Sequence, residues 1–467
     1  MLALLGCAAG DTVTGEAPPP SPPAPPRDAG GVDAPPAWDV PPVGPRPDSA
    51  VTPPSVDASR MGFCEGAGPP IEVGPAGRMR CAGRLAESTF RFSLCSCTNL
   101  ALAGFLRTDS YDSARMMDPG MDRGGAVSVN GAYTIIGYSR VGDTLTVAGA
   151  DPLRLAGAHR TRGDLNMAGA LEIAGVFDVE RNARVRGNIT ALGPFRVAGD
   201  LTQPAGAAAL FGVSVSGARR TAPVEVAPPC PCRPEELVDI AGAVRDAERN
   251  NHNATVGFNP RAFSAVVGRV VTELPCGRFF ADRVAGIGSI ELRVQGRTAL
   301  FINGDFDLAG FFDVALGPRG ELDVFILGSV LGAGYLRMGG NSRPSGVRIY
   351  IAGDRGFTLL GASRFVGNIY APNAPITIAG YMAVHGALFG RSITTGGDLD
   401  VHYDRSILRA GEDCGMPPPG GGCTRCGDCP SVQGCVSGRC GPCRTDADCC
   451  APLVCETRTG QCLPIPP

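Results

Sequence analysis

Apolar residues between positions 165 and 201 alternate with polar ones in short runs: Leu165 and Met167, Leu171 and Ile173, Phe177 and Val179, Val185 and Ile189, Phe195 and Val197, then Leu201. Period-two alternation places such residues on one face of a strand. Glycines recur at 157, 163, 169, 175, 187, 193 and 199, six residues apart, with Arg181 on the missing rung. Each run is therefore about one strand long and ends at a corner. A chain that must bury the same face at every rung does so by coiling, each coil covering the last. The pattern predicts an all-β fold, a parallel β-helix over 124–228.

A second, looser repeat follows over 257–410. Phe301-Ile302-Asn303-Gly304, Phe325-Ile326-Leu327-Gly328 and Tyr350-Ile351-Ala352-Gly353 lie 24 and then 25 residues apart, and further strands end at Gly380 and Gly390. Between the blocks, in the 229–256 linker, Leu237, Ile240, Ala241 and Val244 fall at helical intervals within 235–250. This predicts an amphipathic helix over an end or flank of the solenoid, where bare strand edges invite aggregation.

Composition changes the picture at both ends of the chain. Leu4-Leu5-Gly6-Cys7 resembles the lipobox of bacterial lipoproteins, in which the cysteine receives lipid. The expectation is an exported, lipid-anchored protein at the outer membrane or cell surface, with 1–7 the tail of a signal whose true start lies upstream. Residues 8–60 are rich in Pro, Ala, Asp and Ser, and read as a disordered tether able to reach roughly 150 Å when extended. A Cys-containing segment, 61–123, leads into the coils. At the other end a Gly/Pro linker, 411–422, precedes ten cysteines in 423–467.

Setting Cys7 aside leaves eighteen cysteines that can pair: Cys64, Cys81, Cys95, Cys97, Cys230, Cys232, Cys276, Cys414, Cys423, Cys426, Cys429, Cys435, Cys440, Cys443, Cys449, Cys450, Cys455 and Cys462. An even number fits an oxidising compartment, and their connectivity cannot be read from spacing. Cys423, Cys426 and Cys429 have metal-like spacing, but with no histidine in the segment disulfides are expected, and neither metal nor cofactor.

Several segments resemble known families. Phe365 to Ala374 with Ile376 to Gly380 and Val401 to Asp404 is similar to an uncharacterised β-solenoid domain of exported bacterial proteins, some of them PilX-type and pilus-associated. The segments around Cys95 and Cys97, Asp109 to Asp112, and Cys230 and Cys232 resemble myxobacterial surface proteins. The spacing from Cys443 onward resembles Dickkopf or colipase modules. These resemblances imply a surface location and bring no catalytic residue.

The net charge of −3, with 42 basic residues that are all arginine, offers no basic cluster for nucleic acid. The richest constellation is Asp398, Asp400, His402 and Asp404, a polar stripe predicted to face outward from one strand and able in principle to hold a cation. A solvated strand face is the plainer expectation. Asp305 and Asp307 form a smaller pair that could serve a glycan-cleaving β-helix. The expected function is a non-enzymatic adhesive or structural platform with an envelope glycan or protein as partner. A polysaccharide-acting enzyme and a self-associating envelope polymer are the alternatives.

Overall fold

The computed structural model describes residues 67–68, 71–73, 80–115, 123–331, 335–337, 343–360, 363–410, 434–436, 439–449, 453–456 and 461–464. Cys7, Cys64, Cys414, Cys423, Cys426, Cys429, Cys450 and the 8–60 tether lie outside them.

Parallel strands stack into a β-solenoid of about 13 turns, as the alternation predicts. In the first block Leu165 pairs with Ala183, and Ala183 with Leu201. Three six-residue rungs thus make one coil of eighteen. The single glycine ladder of the sequence becomes several columns in space, and Gly104, Gly137, Gly157, Gly175 and Gly193 stand in one of them. At Gly157 the backbone φ is +137°, and a Cβ would lie 2.0 Å from the carbonyl oxygen of Gly137. Only glycine fits so close to the coil beneath.

The second block is also three-sided, with longer coils. Phe301 pairs with Phe325 and Phe325 with Tyr350, so the 24- and 25-residue spacings are successive coils of one sheet.

The two blocks do not stack in sequence order. The last coils of the second block pair with the first coil of the first, Leu388 with Leu94, Ile393 with Leu100 and Val401 with Thr108. Both blocks share one buried core, in which Leu388, Leu94, Val127, Leu145 and Leu165 follow one another up a column. The chain therefore starts mid-solenoid and climbs to Arg219–Thr221 at one end. It then returns along the outside to the other end and climbs back to the middle.

Residues 222–252 make that return. The segment passes Cys95 and Cys97, to which Cys230 and Cys232 are disulfide-bonded. Prolines at 223, 228, 229 and 231, ahead of the turn that begins at Pro234, suit an extended path with few backbone partners. Helix α2 follows, Ile240–Arg249, shorter than the predicted 235–250 because Asp239 caps it, accepting from the Gly242 N–H at 2.7 Å. It covers the flank rather than an end. There its buried face joins Phe280, Phe301, Phe325, Tyr350, Tyr370 and Phe389, which point outward from successive coils. Helix α1, Ala82–Thr89, contributes Leu85 and Ala86 to the same cluster.

Beyond α2, Asn253 makes two hydrogen bonds with the backbone of Phe280, and buried Phe263 joins the core beside the outermost coils. At the opposite end the strand Arg219–Thr221 is exposed throughout.

Candidate functional site at the junction of the blocks

The strand Asp398–Asp404 carries the predicted polar stripe and lies between Met382–Gly396 and Leu100–Tyr111, at the junction. Leu399 and Val401 point into the core, so Asp398, Asp400 and His402 point outward, as period two requires. The alternation then breaks, because Tyr403 turns into the flank cluster and donates to the Phe90 carbonyl at 2.7 Å. Asp404 is consequently buried, 1% exposed, apart from the other three.

Asp404 accepts from Ser113 N–H (3.0 Å) and Oγ–H (2.6 Å), Ser345 N–H (3.2 Å), and Ser406 N–H (3.1 Å) and Oγ–H (2.8 Å). A carboxylate so fully occupied holds three chain segments together and has little left for a ligand. Nearby, Arg409 grips Asp112 with bonds of 2.9 and 2.8 Å, joining the end of the second block to the start of the first. Burial pushes the Asp112 carboxyl upward, but the bonds to Arg409 and the Ala114 N–H, with the charges of Arg409 and Arg115, together outweigh it and hold the group below its ordinary value.

His402 pairs in register with Asp109, and its Nδ1 lies 2.7 Å from Asp109 Oδ1. Sequence reasoning missed Asp109 as a partner, since 293 residues separate the two. On the other side His402 abuts His385, with ring centroids 4.8 Å apart. Burial, then Arg364 and His402, depress His385 to about 4, so it is neutral at physiological pH. Asp400 is half-buried and burial raises its pKa, while Tyr381 donates to its Oδ2 at 3.3 Å. Arg107 lies 3.3 Å from Asp109.

This grouping can orient an imidazole against a carboxylate, the arrangement of an acid–base pair. Among the described residues, the only three ligand-type side chains close enough to share a cation are Cys443, Cys449 and Cys455. Cys443 is disulfide-bonded to Cys455, and Cys449 is also disulfide-bonded, so no thiolate is offered there. Cys81, Cys276 and Cys435 are disulfide-bonded too. Cys440 and Cys462 are described by backbone pairing alone, opposite Cys435 and Cys455.

Asp305 and Asp307 differ in their settings. Asp305 Oδ1 accepts from the Ser329 N–H of the next coil at 2.8 Å, and Asp307 is exposed on the far side of buried Phe306. Similar corner bonds recur in the first block, where Asp164, Asn182 and Asp200 each accept from a backbone N–H eighteen residues on.

A groove of about 380 Å³ lies on the outer surface of the first block, walled by exposed Ile136 and Leu192 and floored by Ala156 and Ala174. It is separate from the junction.

Residues 233–410 match a family described as "Domain of unknown function (DUF7305)". The match covers the later part of the return segment and the second block up to the junction. No curated protein and no solved structure matches the chain.

Proposed function

We propose that the protein is a non-enzymatic adhesive or structural platform of the bacterial envelope, exported and held by lipid on Cys7. The observation that carries this reading is the single core through both blocks, braced by Cys95–Cys230 and Cys97–Cys232 and covered along one flank by α2. Such a body is stiff and presents long, regular outer faces, which suits binding to extended partners. The disulfides favour an oxidising compartment. The finer resemblances, to pilus-associated and myxobacterial surface proteins and to Dickkopf or colipase modules, agree with a surface role and remain part of this proposal.

The anchor is tested by fatty-acid labelling of the chain expressed behind a supplied lipoprotein signal, with Cys7→Ser beside it; equal labelling of the two defeats the lipid reading. The platform is tested by retention of purified protein on envelope fragments, which is expected to occur without release of soluble sugars.

One observation favours a second reading, an enzyme acting on polysaccharide: the contact between half-buried His402 and buried Asp109. Sugar release that disappears in both His402→Ala and Asp109→Asn would establish it over the platform.

A further inference from the structure

We propose that the outward face of the first block beside the junction binds an acidic polysaccharide laid along the solenoid axis. This inference deepens the platform reading and rests on it. Arg107, Arg140 and Arg160 pair in register on three successive coils. Their neighbours Leu106, Ser139 and His159 are fully buried, so the arginines alternate outward in one line. Coils in a parallel stack advance about 4.8 Å, close to the length of one sugar ring in an extended chain. A polymer with a carboxylate on its sugars can meet one guanidinium per coil, and guanidinium matches carboxylate two bonds at a time.

Carboxylates pair with Arg107 and Arg160. Asp109 is 4% exposed at its side chain against 36% for Arg107, and Glu180 is 29% exposed against 49% for Arg160. In each of these two pairs the guanidinium is the more exposed partner. Beside the row, the rings of Phe105 and Tyr138 stack in parallel, 5.2 Å apart and inclined by 6°, and Tyr138 is 40% exposed. An exposed aromatic ring offers the apolar face on which sugar rings pack, with its polar tip free to hydrogen-bond. Asp178 pairs in register with Arg160, and Arg196 with Asp178. Asp400, in register with Arg107, bounds the row at the junction. The ligand class thus combines repeated carboxylates with pyranose rings.

The test is affinity electrophoresis of the full-length, disulfide-intact protein in gels containing polygalacturonate, dextran or double-stranded DNA. Polygalacturonate should retard the wild type, dextran and DNA far less, and the retardation should weaken as salt rises. The double variant Arg140→Glu/Arg160→Glu and the variant Tyr138→Ala should each bind at least tenfold more weakly, with melting temperatures confirming that they fold. Arg184→Glu, on another face of the same block, should bind as the wild type does. Undiminished binding by the double variant, equal retardation by dextran or DNA, or no retardation by polygalacturonate overturns the site. If the wild type ignores polygalacturonate yet stays on envelope fragments, the site alone falls; if it does neither, the platform reading falls with it.

Discussion

One outward column of residues runs through both blocks and changes character at the junction. In the second block it is aromatic, Phe280, Phe301, Phe325, Tyr350, Tyr370 and Phe389; at Cys95 it passes into the first block as Ser128, Thr146, Asn166, Arg184, Thr202 and Arg220. The strands pair parallel and in register on both sides. What differs is the cover: α2 and α1 lie over the aromatic part and the return segment reaches Ser128, whereas Thr146, Asn166, Arg184, Thr202 and Arg220 are half-buried or exposed. Coil shape is thus set by inward residues and corners, and the outward residues record what else the chain does at that level.

The largest expected effect concerns the disulfides that fasten the return segment. Each closes a loop of 135 residues, worth roughly 5 kcal/mol in the loop-entropy picture. Because the two close nearly the same loop, Cys95→Ser/Cys230→Ser alone should cost under about 1 kcal/mol, and removal of both pairs nearly the full amount. Denaturant unfolding of the three proteins measures this. Equal losses from the first and second removals would contradict the shared-loop account.

Next comes the column itself. Phe325→Ala should cost ~3–5 kcal/mol, because Phe325 stacks between Phe301 and Tyr350 at centroid distances of 5.0 and 4.7 Å under cover. Thr202→Ala, in the same column, should stay within about 0.5 kcal/mol. Similar losses at both sites would mean that the two flanks are alike after all. At Gly157, alanine should cost about 3 kcal/mol, through a positive φ and a backbone oxygen that cannot yield. Gly257, also at positive φ but with nothing near its Cβ, should cost about 1 kcal/mol. Melting curves of the two variants make that comparison.

The smallest effect depends on pH. His159 lies buried in the first block, its ring tilted against that of Phe177 with centroids 4.3 Å apart, and burial depresses its pKa from 6.5 to about 3. In the unfolded chain the imidazole takes a proton below its ordinary value, whereas in the folded chain it stays neutral down to about 3. Its contribution is complete above pH 6.5 and is lost as pH falls toward 3, amounting to about 2 kcal/mol at pH 5. His159→Phe continues the column of Phe177 and Phe195 and should flatten this part of the stability profile. An unchanged slope would place the acid sensitivity elsewhere.

Much of this fold was legible in the sequence because the signals were local. Alternation around Leu171 and Ile173, the six-residue glycines, and the spacing from Phe301 to Phe325 each depend on neighbouring residues alone. The junction was not legible. Leu388 against Leu94 and His402 against Asp109 are contacts across nearly the whole chain, and nothing in either segment names its partner. The polar stripe points outward at Asp398, Asp400 and His402. It failed at Asp404, where Tyr403 leaves the alternation to fill the flank. The arginine row escaped notice because Arg107, Arg140 and Arg160 line up only once the coil lengths are known.

The central claim is that the second block stacks beneath the first, leaving the strands that meet at the junction inside the solenoid. Hydrogen–deuterium exchange of the intact protein tests it directly. Slow exchange is expected for Leu100–Tyr111 and Asp398–Asp404, each flanked by strands on both sides, and fast exchange for the open edge at Arg219–Thr221. Edge-like exchange at Leu100–Tyr111 together with strong protection at Arg219–Thr221 would show that the blocks follow sequence order, and would contradict it.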